Sequence, residues 1–193
     1  IARKDSQRLF DVFIESIEAL RTATRDVNVA VADETLKKIR RTQPLIDNWR
    51  MSLDSAISIS RVSPFLIKYK DELQGQVRLM RGMDLATRNL RVVARRIDFL
   101  LRDGQKRPYL ADLFDQLSKG VNLLEKGLSK PERLEEAQEI FLEVIHQLDP
   151  KQHGIADQIR EASVVLLLRP MLVDLLCATG MHEDDARAEL PEV

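Results

Sequence analysis

The stretch Ala162–Gly180, ASVVLLLRPMLVDLLCATG, constrains the fold of this chain more than any other. A membrane-spanning helix needs about 20 predominantly apolar residues, so length alone permits a crossing. Arg169, Pro170 and Asp174 stand in its central part, however, and two charges at mid-depth are expensive in lipid unless paired. The run therefore reads as a buried helix at the centre of a soluble bundle. Arg169 and Asp174 lie five positions apart, about 140° around a helix, which is too far to pair with each other. Both are expected to be buried inter-helix charges, each needing a partner on a neighbouring helix or a path to solvent.

The remaining sequence supplies the wrapping. Apolar residues recur at helical spacing throughout, and no window alternates like a half-buried strand bounded by turn signals, so the fold class is all-α. Six helices are expected in a single bundle over residues 1–180, followed by an acidic C-terminal tail over 181–193. The first runs from Lys4 to Arg25 with Phe10, Phe13, Ile17 and Leu20 on one face. Asn28 is placed to cap the second, Val29 to Ser58, which Pro44 should kink or break near Gln43. Ser63 and Pro64 mark the start of a long third helix, Pro64 to Arg102. In it Leu79, Met83, Ala86, Leu90, Val93, Ile97 and Leu100 form one seam, and Gly75 and Gly82 each weaken the helix by about 1 kcal/mol relative to alanine. Gly104 ends it and Pro108 opens the fourth helix, to Leu128. The fifth covers Pro131 to Leu148 and the sixth, a buried one, Ile155 to Thr179, stopped by Gly180. The acidic end HEDDARAELPEV is expected to form one weak turn and fray.

Charge is segregated although the net value is only −1. Residues Arg61 to Arg107 hold 12 Lys or Arg against 5 Asp or Glu, whereas Pro131 to Val193 hold 5 against 14. Within the basic half, Arg81, Arg88, Arg95 and Arg102 recur every seven residues opposite the apolar seam, an outward stripe of roughly 32 Å at 1.5 Å per residue. Arg78, Arg91 and Arg96 widen it, and Asp84 and Asp98 interrupt its flank. A solvated helix face is the plain interpretation. The functional ones are contact with an anionic membrane surface, at about 1 kcal/mol per basic residue near it, or with an acidic protein. Nucleic acid is not expected, because the chain is slightly acidic and no aromatic residues are interleaved along the stripe.

Motifs for catalysis are missing. The single cysteine, Cys177, has no base nearby in sequence and reads as a small buried hydrophobe in a reducing compartment. The seven glycines are scattered singly, without a phosphate-cradling loop. Glu143 and His146 have the Glu-x-x-His spacing of di-iron bundles, but no second copy exists. No catalytic residue, cofactor or metal is expected.

The segments SQRLFDVFIESIEAL, TQPLIDNWRMSLDSA, SPFLIKYKDEL, DLATRNLRVVARRIDFLL and SVVLLLRPMLVDLLCATG, in that order, resemble the soluble C-terminal region of bacterial FUSC-type membrane proteins, the fusaric-acid-resistance and aromatic-acid-exporter group in its actinobacterial form. The resemblance spans roughly Ser6 to Gly180. It implies a non-catalytic domain at the cytoplasmic face of the bacterial inner membrane, attached to a transmembrane domain that is its partner and acting in assembly or regulation of a pump for aromatic acids or related small organic compounds. The first residue is Ile1 and no secretory leader follows, in keeping with a piece of a longer protein. A free-standing helical adaptor that binds another protein, and a helical metal-binding protein built on Glu143 and His146, are the alternatives. The long seam from Leu79 to Leu100 suits a homo-oligomer and serves equally well inside one bundle.

Overall fold

The structure is a computed structural model that describes residues 2–62 and 69–193. Eight α-helices are present among the described residues, and no strand. They are α1 (Ala2–Asp26), α2 (Val29–Arg40), α3 (Gln43–Val62), α4 (Lys70–Leu100), α5 (Pro108–Lys126), α6 (Glu132–Ile145), α7 (Ile159–Thr179) and α8 (Glu183–Ala188). The all-α expectation holds. Two helices more than expected arise from the break inside the second stretch and from the acidic end.

Local chemistry accounts for most of the boundaries. Asn28 accepts a hydrogen bond from the Val31 amide at 3.1 Å and so caps α2. The break predicted near Gln43 falls at Arg41 and Thr42, and Pro44 enters the first turn of α3, where its missing N–H leaves no bond unmade. Gly104 adopts the left-handed backbone at φ 77° after a 3-10 turn, Leu101–Asp103, and Pro108 opens α5. The long helix therefore ends at Leu100, and Arg102 belongs to the turn. Ser63 and Pro64 lie outside the described residues.

The sixth predicted helix starts later than expected, at Ile159 rather than Ile155. Pro150 opens a 3-10 turn capped by Asp149, and Gly154 at φ 67° reverses the chain before α7 can begin. Ile155 still contributes to the core, at 5% exposure.

Neighbouring helices close into a ring. α1 packs on α5, α5 on α6, α6 on α7 and α7 on α4, while α2 and α3 lie against both α1 and α4. One continuous core fills this ring. All seven seam residues of α4 are buried in it, as are Phe10, Phe13, Ile17 and Leu20 of α1. Trp49 of α3 is buried beside Phe10, with ring centroids 6.3 Å apart.

α7 is the one helix among the described residues long and apolar enough to cross a membrane. Here its apolar side chains are spent inside: Val164, Val165, Leu168, Met171, Leu172, Leu175 and Leu176 have no exposed surface. Apolar residues all around it require neighbours on several sides, and α4, α6 and α8 provide them. Pro170 sits mid-helix on the exposed side, and so does Leu166, whose carbonyl loses its i+4 donor there.

α4 and α7 run antiparallel, since Arg78 approaches Gly180 and Gly82 approaches Ala178 and Asp174. At Gly82 a Cβ atom would stand 2.5 Å from the Ala178 Cβ and 2.9 Å from the Asp174 carbonyl oxygen. Gly82 is thus where two helix backbones touch, rather than a weak point in α4. Gly75, by contrast, has open space around it.

The acidic end departs from expectation. Instead of fraying, it folds into α8 and docks on α7, with Ala186 buried and Leu190 packed against the core. His182 caps the helix, its ring accepting from the Asp184 amide at 3.4 Å. Arg169 fastens the segment beyond α8 by donating to the Pro191 carbonyl at 2.8 Å.

Candidate functional site

The exposed side of α4 is the most distinctive surface. Arg81, Arg88, Arg95 and Arg102 are all exposed, as the stripe required. A second row runs beside them that periodicity alone does not reveal: Leu85, Val92 and Phe99, also seven apart, with 48%, 48% and 64% of their surface exposed. On the antiparallel α7, Leu166 and Ile159 add 38% and 84% exposed apolar side chains. Each apolar residue of α4 stands three positions before an arginine, so the rows share one face. The period of seven is visible in the sequence; the seam residues, which share that period, mask the second row, and Phe99 sets one aromatic side chain between Arg95 and Arg102, where none was expected.

Charge along this face is uneven. Asp84 and Asp98 do not lie on the exposed flank, being only 7% and 9% exposed. Asp84 takes two hydrogen bonds from Arg88, at 2.9 and 3.0 Å, and one from Arg50 of α3 at 2.9 Å. Asp98 accepts from Arg102 at 3.1 Å. Arg88 and Arg102 are therefore held by an acid one turn back. Arg81 and Arg95 have no carboxylate within ion-pair distance among the described residues.

Arg169 and Asp174 do not pair with each other. They are half-buried rather than buried, because both sit where α7 borders the groove beneath α8. Arg169 donates to two carbonyls, Leu148 at 3.1 Å and Pro191 at 2.8 Å, pinning the end of α6 and the C-terminal segment to α7. Asp174 accepts from the Asn89 amide of α4 at 2.6 Å. Its carboxyl stands at the junction of two adjoining clefts of about 520 and 500 Å³, both bordered by Leu85 and Glu183.

Burial raises the Asp174 pKa from 3.8 to about 6, against the opposing effect of the Asn89 hydrogen bond. The folded state thus holds this proton more tightly than the unfolded chain. Between pH 3.8 and about 6 the unfolded chain loses it first, so this residue subtracts stability as pH rises through that window. Asp174→Asn is expected to gain on the wild type in urea midpoint between pH 4 and pH 7. A difference that stays constant across that range contradicts the assignment.

A polar cluster that the sequence does not announce lies at the other end of α7. Arg107, 2% exposed, donates from Nε to the Glu161 carboxylate at 3.0 Å, to the Gln105 carbonyl at 2.7 Å and to both oxygens of Asp103. The Tyr109 hydroxyl donates to the other Glu161 oxygen at 2.6 Å, and the His153 ring lies 5.2 Å from the Tyr109 ring. Burial alone would lower the Arg107 pKa, but its hydrogen bonds to Asp103 and Glu161 reverse that and leave it raised. Arg107 in turn draws Asp103 down from 3.8 to about 2. Burial, with the Glu161 hydrogen bond adding to it, pushes the Tyr109 phenol up. Tyrosine, glutamate, arginine and histidine together look like chemistry, yet Glu161 is satisfied by Arg107 and Tyr109, and Arg107 by Glu161, Asp103 and the Gln105 carbonyl. The cluster joins the α4–α5 turn to α7. In the sequence Arg107 is simply one more basic residue of its half, and its partner is 54 positions away.

Glu143 and His146 are both exposed, and His146 meets Glu189 at 2.6 Å. Among the described residues no group of three or more His, Cys, Asp or Glu side chains is arranged to hold a metal ion. Cys177 is half-buried on the wall of the larger cleft, and burial pushes its thiol up. No family model matches the chain, and no curated protein or solved structure matches it either.

Proposed function

We propose that this chain is a non-catalytic helical domain of a bacterial membrane efflux protein, of the fusaric-acid-resistance and aromatic-acid-exporter kind, working at the cytoplasmic face of the inner membrane in assembly or regulation of its transmembrane partner. One observation carries the reading: an exposed apolar row and an exposed arginine row, in register, on a single side of α4. Such a face lies well along an anionic membrane surface. Leu85, Val92 and Phe99 enter the boundary between headgroups and acyl chains, and the guanidinium groups meet phosphates. Arg81 and Arg95 carry most of the attraction, since Arg88 and Arg102 are partly neutralised by Asp84 and Asp98. The seam from Leu79 to Leu100 is not open to a second copy, since all of it is buried in the chain's own core, and pairing the exposed side of α4 would set arginine rows against each other, so a homo-oligomer uses another face.

Regulation then comes from geometry: any state of the membrane part that brings the α4 face closer to the bilayer is favoured by the extra contact energy. Sedimentation with vesicles tests the contact. Binding is expected to vesicles of phosphatidylcholine containing one-third phosphatidylglycerol, and not to phosphatidylcholine alone. At about 1 kcal/mol per basic residue, Arg81→Glu with Arg95→Glu should weaken binding by at least roughly tenfold. Equal binding of the double variant, or no binding of the wild type to anionic vesicles, removes the reading.

A further inference from the structure

We propose that the cleft between α4, α7 and α8 binds a small organic cation, an ammonium group on an apolar or aromatic body, with Asp174 as its counter-ion. The two adjoining hollows that meet at Asp174, about 520 and 500 Å³, are each of the size that takes a small molecule. Their walls are mainly apolar: Val77, Leu85, Cys177, Leu166 and Val173.

Arg78, Arg81, Arg169 and Arg187 border these hollows beside Asp174 and Glu183, and the sign of the ligand is set by which of these charges is neither exposed nor already bound. Asp174 is half-buried, holds one neutral hydrogen bond from Asn89, and has no cation within ion-pair distance among the described residues. The charged groups around it are already engaged or turned to water. From α8, Glu183 lies near it and is paired with Arg187 at 2.5 Å. From α4, the Arg78 guanidinium lies over Gly180, at the negative end of the α7 dipole, and Arg81 is exposed. From α7 itself, Cys177 adds a neutral thiol, and Arg169 is committed to two carbonyls. Among the described residues Arg78 and Arg81 also lack a carboxylate partner but are exposed to water, so Asp174 is the half-buried charge of the cleft left with one neutral hydrogen bond alone. Apolar walls favour an organic cation over a hydrated metal ion, and among the described residues no group of three or more His, Cys, Asp or Glu side chains is arranged to hold one. This cleft does not depend on the membrane contact, and its test contains no lipid.

Calorimetric titration with phenethylammonium, 2-phenylethanol and 3-phenylpropanoate compares one body carrying three charges. At pH 7.5 phenethylammonium is expected to bind once per chain, at least tenfold tighter than the alcohol or the acid. Asp174→Asn should abolish that preference while leaving the alcohol unchanged. Lowering the pH to 5, one unit below the Asp174 value of about 6, should weaken the ammonium roughly tenfold. A second readout needs no variant: Cys177, the only cysteine, borders the cleft, so phenethylammonium should slow its alkylation by iodoacetamide. Equal affinity for the three probes, wild-type affinity in Asp174→Asn, or an unprotected Cys177 at millimolar phenethylammonium overturns the assignment.

Discussion

Arg107→Met is expected to lower stability by about 3–5 kcal/mol, which for a chain of this length corresponds to a fall in melting temperature of roughly 6–20 °C. The size of the effect comes from what stays behind. Glu161 keeps its place in the wall of α7 with only the Tyr109 hydroxyl to meet its charge, and the Gln105 carbonyl loses its donor. Arg107 also donates its backbone N–H to the Thr24 carbonyl at 2.9 Å, so the residue fastens the α4–α5 turn to the end of α1 as well as to α7. Arg107→Lys should recover only part of the loss, because an ammonium cannot reach Glu161, Asp103 and Gln105 together. The double variant Arg107→Met, Glu161→Met should be markedly more stable than the sum of the single losses, since it removes the stranded charge. Thermal melts followed by circular dichroism decide this. A single Arg107→Met variant that melts with the wild type shows that the cluster is not buried in solution.

The second large effect concerns two glycines of one helix that behave in opposite ways. Helix propensity alone says that alanine in place of either should add about 1 kcal/mol. Gly75→Ala is expected to do so, since nothing stands within 4 Å of the new methyl. Gly82→Ala is expected to be destabilising by about 1–3 kcal/mol, and Gly82→Val by more, because the new atom meets the Ala178 Cβ and the backbone of Asp174. Backbone cannot rotate away as a side chain can, so α4 and α7 must separate. Denaturant midpoints of the two alanine variants measure the contrast directly. If both shift upward, the antiparallel contact of α4 and α7 is misplaced.

The same pair of glycines shows what sequence could and could not say. Periodicity placed the α4 seam and the apolar face of α1, because each depends on neighbours three or four residues away along one helix, and the charges Arg169 and Asp174 within an apolar run pointed to the burial of α7. Caps and breaks at Asn28, Pro44, Gly104 and Pro108 were legible for the same local reason. Gly82 looked like Gly75 because the atom that distinguishes them belongs to Ala178, almost a hundred positions later. Distance in sequence also hid the junction of Arg107 with Glu161 and the hydrogen bond from Asn89 to Asp174. The acidic end misled for a different reason: its charge pattern predicts solvation, and only the surface of α7 beside Ala186 and Leu190 gives that segment something apolar to cover. The exposed row Leu85, Val92 and Phe99 was in plain sight, but hydrophobic residues are assigned inward by default, and nothing in one helix says which of two apolar rows a neighbour will take.

The position of α7 in chain order has a consequence for how the molecule is made. The helix that α4 and α6 enclose follows both of them in chain order. Until it leaves the ribosome, the parts of α4 and α6 that face it have no counterpart, although α2, α3 and α5 already cover their other sides, and a nascent chain carries a greasy slot open to chaperones or strangers. Quality control in the cell therefore has its decisive moment late, when Ile159–Thr179 slides home and α8 shuts behind it.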